Sequence, residues 1–349
     1  CDTTPDDEEV VAGLIVRPEL KLEKTTRRLV ASVGAGGEYG DFDNGSADDY
    51  TDGNLEGRFQ YRADARNRFS GSSRIAQGHD PFGQRRTEGL PTASRELDEY
   101  DTLRSRLGYR FGATNSLLNV AYEISYFEQE YDTNRALGTQ FLDHEYLTHM
   151  GTLFLNYSPK TSAVLRVTQR SIDYPLGLVG FPDRSADEET ASVGIEWLPT
   201  GKTSGEVFVG RMKRKPDEPG FTDFRGNIWS ISAQWEPRST TVWRLQTSRQ
   251  SNESFLVNSS FIDTQGGTIS WWQKWNQVVL TTLGVSYSER EFEPIGRKDD
   301  LSSAFFELGL QVDREVYINF KVSYSDRDST LDARDYDKQA FSVGFRYAP

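Results

Sequence analysis

One pattern constrains this chain more than any other. From about residue 12 to the C-terminus, segments of about ten residues with alternating apolar and polar side chains are joined by a short turn, then a longer polar loop, then a short turn again. Alternation with period two places one face of each segment in an apolar medium and the other in a polar one. Ten residues at about 3.3 Å rise, tilted by about 45°, cross the apolar band of a bilayer, whereas strands of soluble sandwiches average about five or six residues. The clearest series are Leu55, Gly57, Phe59 and Tyr61; Leu103, Leu107, Tyr109 and Phe111; Leu118, Val120, Tyr122, Ile124 and Tyr126. Later come Trp229, Ile231, Ala233 and Trp235; Val279, Leu283, Val285 and Tyr287; and Val316, Ile318, Phe320, Val322 and Tyr324.

The connections alternate in length. Short ones fall near 24–28, 64–67, 112–115, 158–161, 199–202, 236–239, 274–276 and 313–315, and long ones near 40–49, 79–98, 131–144, 173–186, 214–223, 252–258, 289–299 and 326–336. Outer-membrane barrels have short periplasmic turns and long extracellular loops. Nearly all prolines beyond the first strand lie in connections, where a missing N–H breaks no ladder; Pro18 is the exception and predicts an irregular first strand. Segments running toward a short turn end in Tyr61, Phe111, Tyr157, Trp197, Trp235, Trp275 and Tyr347. Segments rising to a long loop end near Tyr39, Tyr126, Tyr287 and Tyr324, so the aromatics form two girdles at the membrane interfaces.

Bulk composition alone would suggest an acidic soluble protein, with 36% hydrophobic residues and a net charge of −13. A transmembrane barrel gives the same signature, because only alternate strand residues face lipid. No run approaches the roughly 18–20 apolar residues of a membrane helix. The acidic balance argues against nucleic acid, which selects basic surfaces.

The expected fold is therefore all-β: a transmembrane antiparallel up-and-down barrel of about 16–18 strands spanning residues 11–349, after an acidic loop-like segment at 1–10. About seventeen strands are visible, and an odd count conflicts with the even number usual in bacterial barrels. The first strand, about residues 11–22, runs toward the periplasm, so an eighteenth strand upstream would restore parity. Cys1, the only cysteine, is then a loop residue; otherwise it is a candidate lipidated N-terminus. The alternative is sixteen strands with one segment misassigned.

The chain closes on Phe341-Ser-Val343-Gly344-Phe345-Arg-Tyr347. Gly344, Phe345 and Tyr347 resemble the terminal signal read by the barrel-assembly machinery, although Ala348-Pro349 follow the last aromatic. Across nearly its whole length the sequence also resembles the putative β-barrel porin 2 family, which includes EpsL- and VpsM-like outer-membrane proteins of exopolysaccharide operons. The resemblance rests on the acidic opening Thr4-Pro-Asp-Asp-Glu-Glu, on Leu14-Ile-Val-Arg-Pro-Glu-Leu, on Tyr50-Thr-Asp-Gly, and on paired long strands with charged turns. It implies a role in moving or securing a secreted polysaccharide at the outer membrane, with lipids, lipopolysaccharide and periplasmic export components as partners. It transfers no catalytic residue.

On the polar faces arginine recurs: Arg58, Arg62, Arg74, Arg104, Arg106, Arg110, Arg166, Arg170, Arg244 and Arg346, with Lys321. Glu56, Glu123, Glu196, Glu206 and Glu307 share those faces. Either these arginines bind acidic groups on a polymer, or they pair across strands and fill a hydrated lumen. Acidic stretches at 2–9, 41–52, 96–101, 183–189 and 326–337 read as solvated loops, with divalent-cation binding the alternative. No catalytic motif and no cofactor or metal signature occurs. His144 and His149 fall on opposite faces by alternation, and His79 lies at the start of a long loop. Three functions remain open: an exopolysaccharide export porin, an anchoring barrel plugged by its loops, and a general diffusion porin. The loop at 79–98 discriminates by folding inward or outward.

Overall fold

A computed structural model describes residues 11–43, 48–82, 84–87, 96–113, 116–177, 183–198, 201–218, 221, 223–256 and 258–347. The strands are β1 (Gly13–Val16), β2 (Glu19–Thr25), β3 (Leu29–Phe42), β4 (Tyr50–Arg62), β5 (Asn67–Asp80), β6 (Asp98–Phe111), β7 (Leu118–Tyr131), β8 (His144–Ser158) and β9 (Thr161–Asp173). They continue as β10 (Ala186–Trp197), β11 (Thr203–Pro216), β12 (Phe224–Arg238), β13 (Thr241–Glu253), β14 (Phe261–Lys274), β15 (Val279–Glu293), β16 (Arg297–Gln311), β17 (Val316–Ser329) and β18 (Tyr336–Tyr347). From β3 onward each strand pairs antiparallel with the next in one up-and-down sheet.

β1 and β2 both lie on β3, and they are two halves of one strand. Val16 faces Tyr39 and Glu19 faces Gly36, so the register is unbroken across Arg17-Pro18. Proline has no N–H for the ladder, but its carbonyl still accepts from Gly37 N at 3.0 Å. Arg17 holds the break flat by pairing with Glu38 at 2.8 Å. Counted this way the sheet has the seventeen staves, with an irregular first one, that alternation and Pro18 predict.

The sheet is not closed. Among the described residues no ladder joins β18 to the β1/β2 edge. Both edges run from a long-loop end toward a short-turn end, so a strand of opposite direction would pair antiparallel with each. Cys1 and the acidic stretch at 2–9 lie outside the described residues.

Most strands after β2 hold 12–15 residues, longer than the ten that alternation marks. The expected long loop at 289–299 shrinks to residues 294–296, because Glu291 still faces Lys298 and Arg290 faces Asp299. Likewise β17 extends to Ser329 inside the expected loop at 326–336. The ladder outlasts the apolar pattern: above a bilayer both faces are wet, so backbone pairing continues without an apolar side to advertise it.

The faces separate cleanly over the middle of each strand. Outward side chains are apolar and open: Leu107 is 59% exposed, Ile75 57% and Val209 54%. A continuous belt of this kind exceeds what a water-soluble surface leaves uncovered. Inward positions carry Arg, Ser, Thr, Glu and Gln.

Candidate functional site

The strand register builds the inner face row by row. Arg62, Arg68 and Arg110 lie directly opposite one another on β4, β5 and β6. The same row continues through Ala121 and Thr152 to Arg166 on β9. Further toward the long loops, Glu56, Arg74 and Arg104 form a second row that runs on to Phe127 and Tyr146. The arginines singled out by alternation thus come together on one arc, β4–β9, while Arg244 on β13 and Arg346 on β18 stand elsewhere on the same face.

Ion pairs and polar hydrogen bonds account for only some of them. Arg58 binds Glu56, Arg106 reaches Glu123 at 3.1 Å, and Arg170 lies 3.8 Å from Glu188. Arg244 donates to Gln234 at 3.0 Å. Arg104, Arg110, Arg166 and Arg346 rest on rings instead. The guanidinium of Arg110 sits 3.9 Å from the Phe154 centroid, Arg166 is 4.1 Å from Phe208, Arg104 is 5.0 Å from Phe127 and Arg346 is 5.1 Å from Tyr317. Such stacking holds a guanidinium without neutralising it.

These rings are residues that alternation misses, because they are aromatic groups on the polar face. Phe154, Val164 and Phe208 form a small buried cluster inside the sheet, with Ala121 packed beside it. Gly194 makes room for it: a Cβ there would fall 2.5 Å from the Phe208 ring. Arg68, adjacent to a turn, is also missed; its Nη2 donates to Gly112 O at 2.9 Å and Asn119 Oδ1 at 3.1 Å.

The wall formed by β11–β15 differs. There Ser230, Ser232, Gln246, Ser248, Thr268 and Ser286 line a cavity of about 520 Å³ together with Glu206. Glu206 faces Glu196 across the β10–β11 ladder. One wall therefore presents guanidinium groups and the other presents hydroxyls.

The long-loop end is packed. The β12–β13 ladder stops at Trp229 and Arg249, whereas β13–β14 runs on to Glu253 and Phe261, so this hairpin tip parts from β12 and leans over the mouth. Ser251 near the tip hydrogen-bonds Glu188 of β10. Arg214, with no exposed side-chain surface, donates to both oxygens of Glu253 at 2.9 and 3.1 Å and to Ser260 O at 3.2 Å. Tyr174 donates to Glu253 at 2.8 Å, and burial pushes its phenol well above the usual range. Arg184 ties the loop ends together through Ser254 O at 2.8 Å and Phe141 O.

A second knot lies on β5–β8. Arg86 grips Asp98 at 2.8 and 2.6 Å, Tyr131 donates to Asp80 at 2.7 Å, and Arg135 reaches Asp143 at 3.0 Å. Burial raises the Asp143 carboxyl despite that partner. Both knots correct the reading of 96–101 and 183–189 as solvated loops: Asp98 is 2% exposed and Glu188 7%. Asp98 meets Arg86 from the adjoining loop, and Glu188 meets Arg170 of β9 and Arg214 of β11. The described ends of the 79–98 loop tuck inward, with Thr87 and Leu97 buried; residues 88–95 lie outside the described set.

Tyr61, Phe111, Trp197, Trp235, Trp275 and Tyr347 lie toward the short-turn end and point outward, and Tyr157 is extruded there by a bulge. In β18, Phe345 and Tyr347 face outward, whereas Gly344 faces inward beside Asn319. Residues 348–349 lie outside the described set. His144 packs inward against Tyr174, His149 bonds Tyr122 at 2.6 Å outside, and His79 bonds Asp52 at 2.9 Å. Among the described residues no group of carboxylates, histidines or cysteines is arranged to hold a metal ion.

Residues 4–348 match the family described as "Putative beta-barrel porin 2". The chain belongs to that family. No curated protein matches this porin-family chain. Among solved structures it is similar to the FrpB iron transporter from Neisseria meningitidis: the F5-1 variant gives a TM-score of 0.55 at 9% identity, covering 97% of this chain and 66% of that one. The F3-3 variant gives 0.53 at 9% identity, with 97% and 65% covered. The copper transporter OprC gives 0.51 at 11% identity, with 97% and 72% covered. The porin-family chain thus spans about two thirds of the FrpB length. At these identities the likeness is one of fold. Family and fold agree on an outer-membrane β-barrel of porin type, and the inner face described above lines its lumen.

Proposed function

We propose that this barrel passes a secreted polysaccharide through the outer membrane, with its long loops outside the cell and its short turns in the periplasm. The observation that supports it best is the division of the lumen into an arginine arc on β4–β9 and a hydroxyl-lined wall on β11–β15. Hydroxyl side chains exchange hydrogen bonds readily with sugar hydroxyls, and guanidinium forks take acidic substituents. Weak contacts at many positions let a polymer enter and leave. Its partners on this reading are the polymer, lipopolysaccharide and lipids around the belt, periplasmic export components, and the barrel-assembly machinery at β18. The resemblance to EpsL- and VpsM-like proteins points the same way.

The packed mouth favours a second reading, an anchoring barrel whose loops close the lumen. Planar-bilayer recording of the full chain separates the two. Passage predicts stepwise conductance that rises when Glu253→Gln loosens the tie between the β13–β14 tip and Arg214. Silence in both proteins supports anchoring.

A further inference from the structure

The lumen wall carries a like-charge arrangement that the sheet itself does not balance. Side chains directly opposite each other on a sheet face lie about 5 Å apart at the backbone, and like charges there are destabilising. Arg62, Arg68 and Arg110 occupy three such positions in succession. Among the described residues none of the three has a carboxylate within ion-pair distance. Arg68 is held by a backbone carbonyl and the buried Asn119, Arg110 by the face of Phe154, and Arg62 is exposed without a side-chain bond. Of the carboxylates on the same face, Glu56 is engaged with Arg58 and Glu123 with Arg106, while Glu196, opposite Glu206, acts on Arg110 only through space, from beyond ion-pair distance.

We propose that the Arg62–Arg68–Arg110 row is an oxyanion-binding site, taking the carboxylate substituents of an acidic saccharide. Neutral partners hold Arg68 and Arg110 in place and leave their charge unspent, and Arg62 projects beside them. Planar guanidinium groups in this arrangement suit a planar carboxylate, which accepts two N–H bonds at once. Arg74 and Arg104, opposite each other six residues further along β5 and β6, supply a second station about 20 Å up the wall, where Glu56 faces Arg74 but is bound by Arg58. Two stations of this kind suit a chain with a repeated acidic unit. The proposal rests on reading this face as the wall of a passage, but binding itself does not require the passage to be open.

Titration calorimetry on the detergent-solubilised full chain tests it, with tetragalacturonate as the acidic probe and maltotetraose as the neutral one. The acidic tetramer binds at least about tenfold more tightly, and Arg62→Gln, which breaks no internal contact, weakens it about tenfold. Lys321→Gln removes a lumen cation beside Phe305, outside the row, and leaves the affinity unchanged. Equal affinity for both sugars, no binding of either, or equal damage from Lys321→Gln and Arg62→Gln overturns the site. A silent pore that binds tetragalacturonate in this way refutes passage and keeps the site; a conducting pore that binds neither sugar does the reverse.

Discussion

Glu253→Ala should destabilise the barrel by about 3–5 kcal/mol, the cost of removing one hydrogen-bonded partner of a buried ion pair. Arg214 has no exposed side-chain surface and donates to both oxygens of Glu253, and Tyr174 donates to the same carboxylate. Removing that carboxylate leaves a guanidinium that water does not reach with only Glu188, 3.8 Å away and without a hydrogen bond to it, and it frees a phenol that burial keeps protonated. The loss appears as a lower urea midpoint for unfolding from micelles, followed by tryptophan fluorescence. The double change Arg214→Met with Glu253→Leu should recover much of it, since apolar replacements of a buried pair are often neutral. Arg58→Ala, at an exposed pair with Glu56, should leave the midpoint where it was. A Glu253→Ala protein as stable as the parent would mean that the mouth is open and wet.

The second large effect lies on the outer face. Phe320→Arg and Ile124→Arg place a cation against hydrocarbon near the middle of their strands and should each cost roughly 2–4 kcal/mol. The neighbouring change Asn319→Arg points inward, where Asn319 faces Gly344, and should be nearly silent. Folding titrations in phosphatidylcholine vesicles measure the difference. Equal costs on the two faces would remove the assignment of inside and outside.

Strand direction, the two faces and the broken first strand were readable from residue order because each is a local property. Alternation needs only neighbours, and Pro18 interrupts a ladder whatever lies beside it. Most arginines of the lumen were readable for the same reason, although Arg68, beside a turn, was not. Their partners were not. Phe154 and Phe208 stand at inward positions where the pattern calls for polar groups, and only the register of β6–β11 shows that they carry Arg110 and Arg166. The mouth was hidden more deeply. Arg214 and Glu253 are 39 residues apart, and Arg184 reaches Ser254 across 70, so nothing local marks these charges as buried. The reach of β15 and β16 beyond the apolar belt escaped notice because hydrogen bonding there leaves no trace in side-chain polarity. The open edge was legible only through the odd strand count, which leaves both edges running in the same direction.

The barrel is a wall one residue thick, with hydrocarbon on one side and water on the other. Spin labels placed singly at residues 318–323 of β17, in lipid vesicles, report which medium each position meets. Labels at Ile318, Phe320 and Val322 should be relaxed by dissolved oxygen and shielded from a water-soluble nickel chelate, and labels at Asn319, Lys321 and Ser323 should show the opposite. Uniform access to the chelate along all six positions would contradict it.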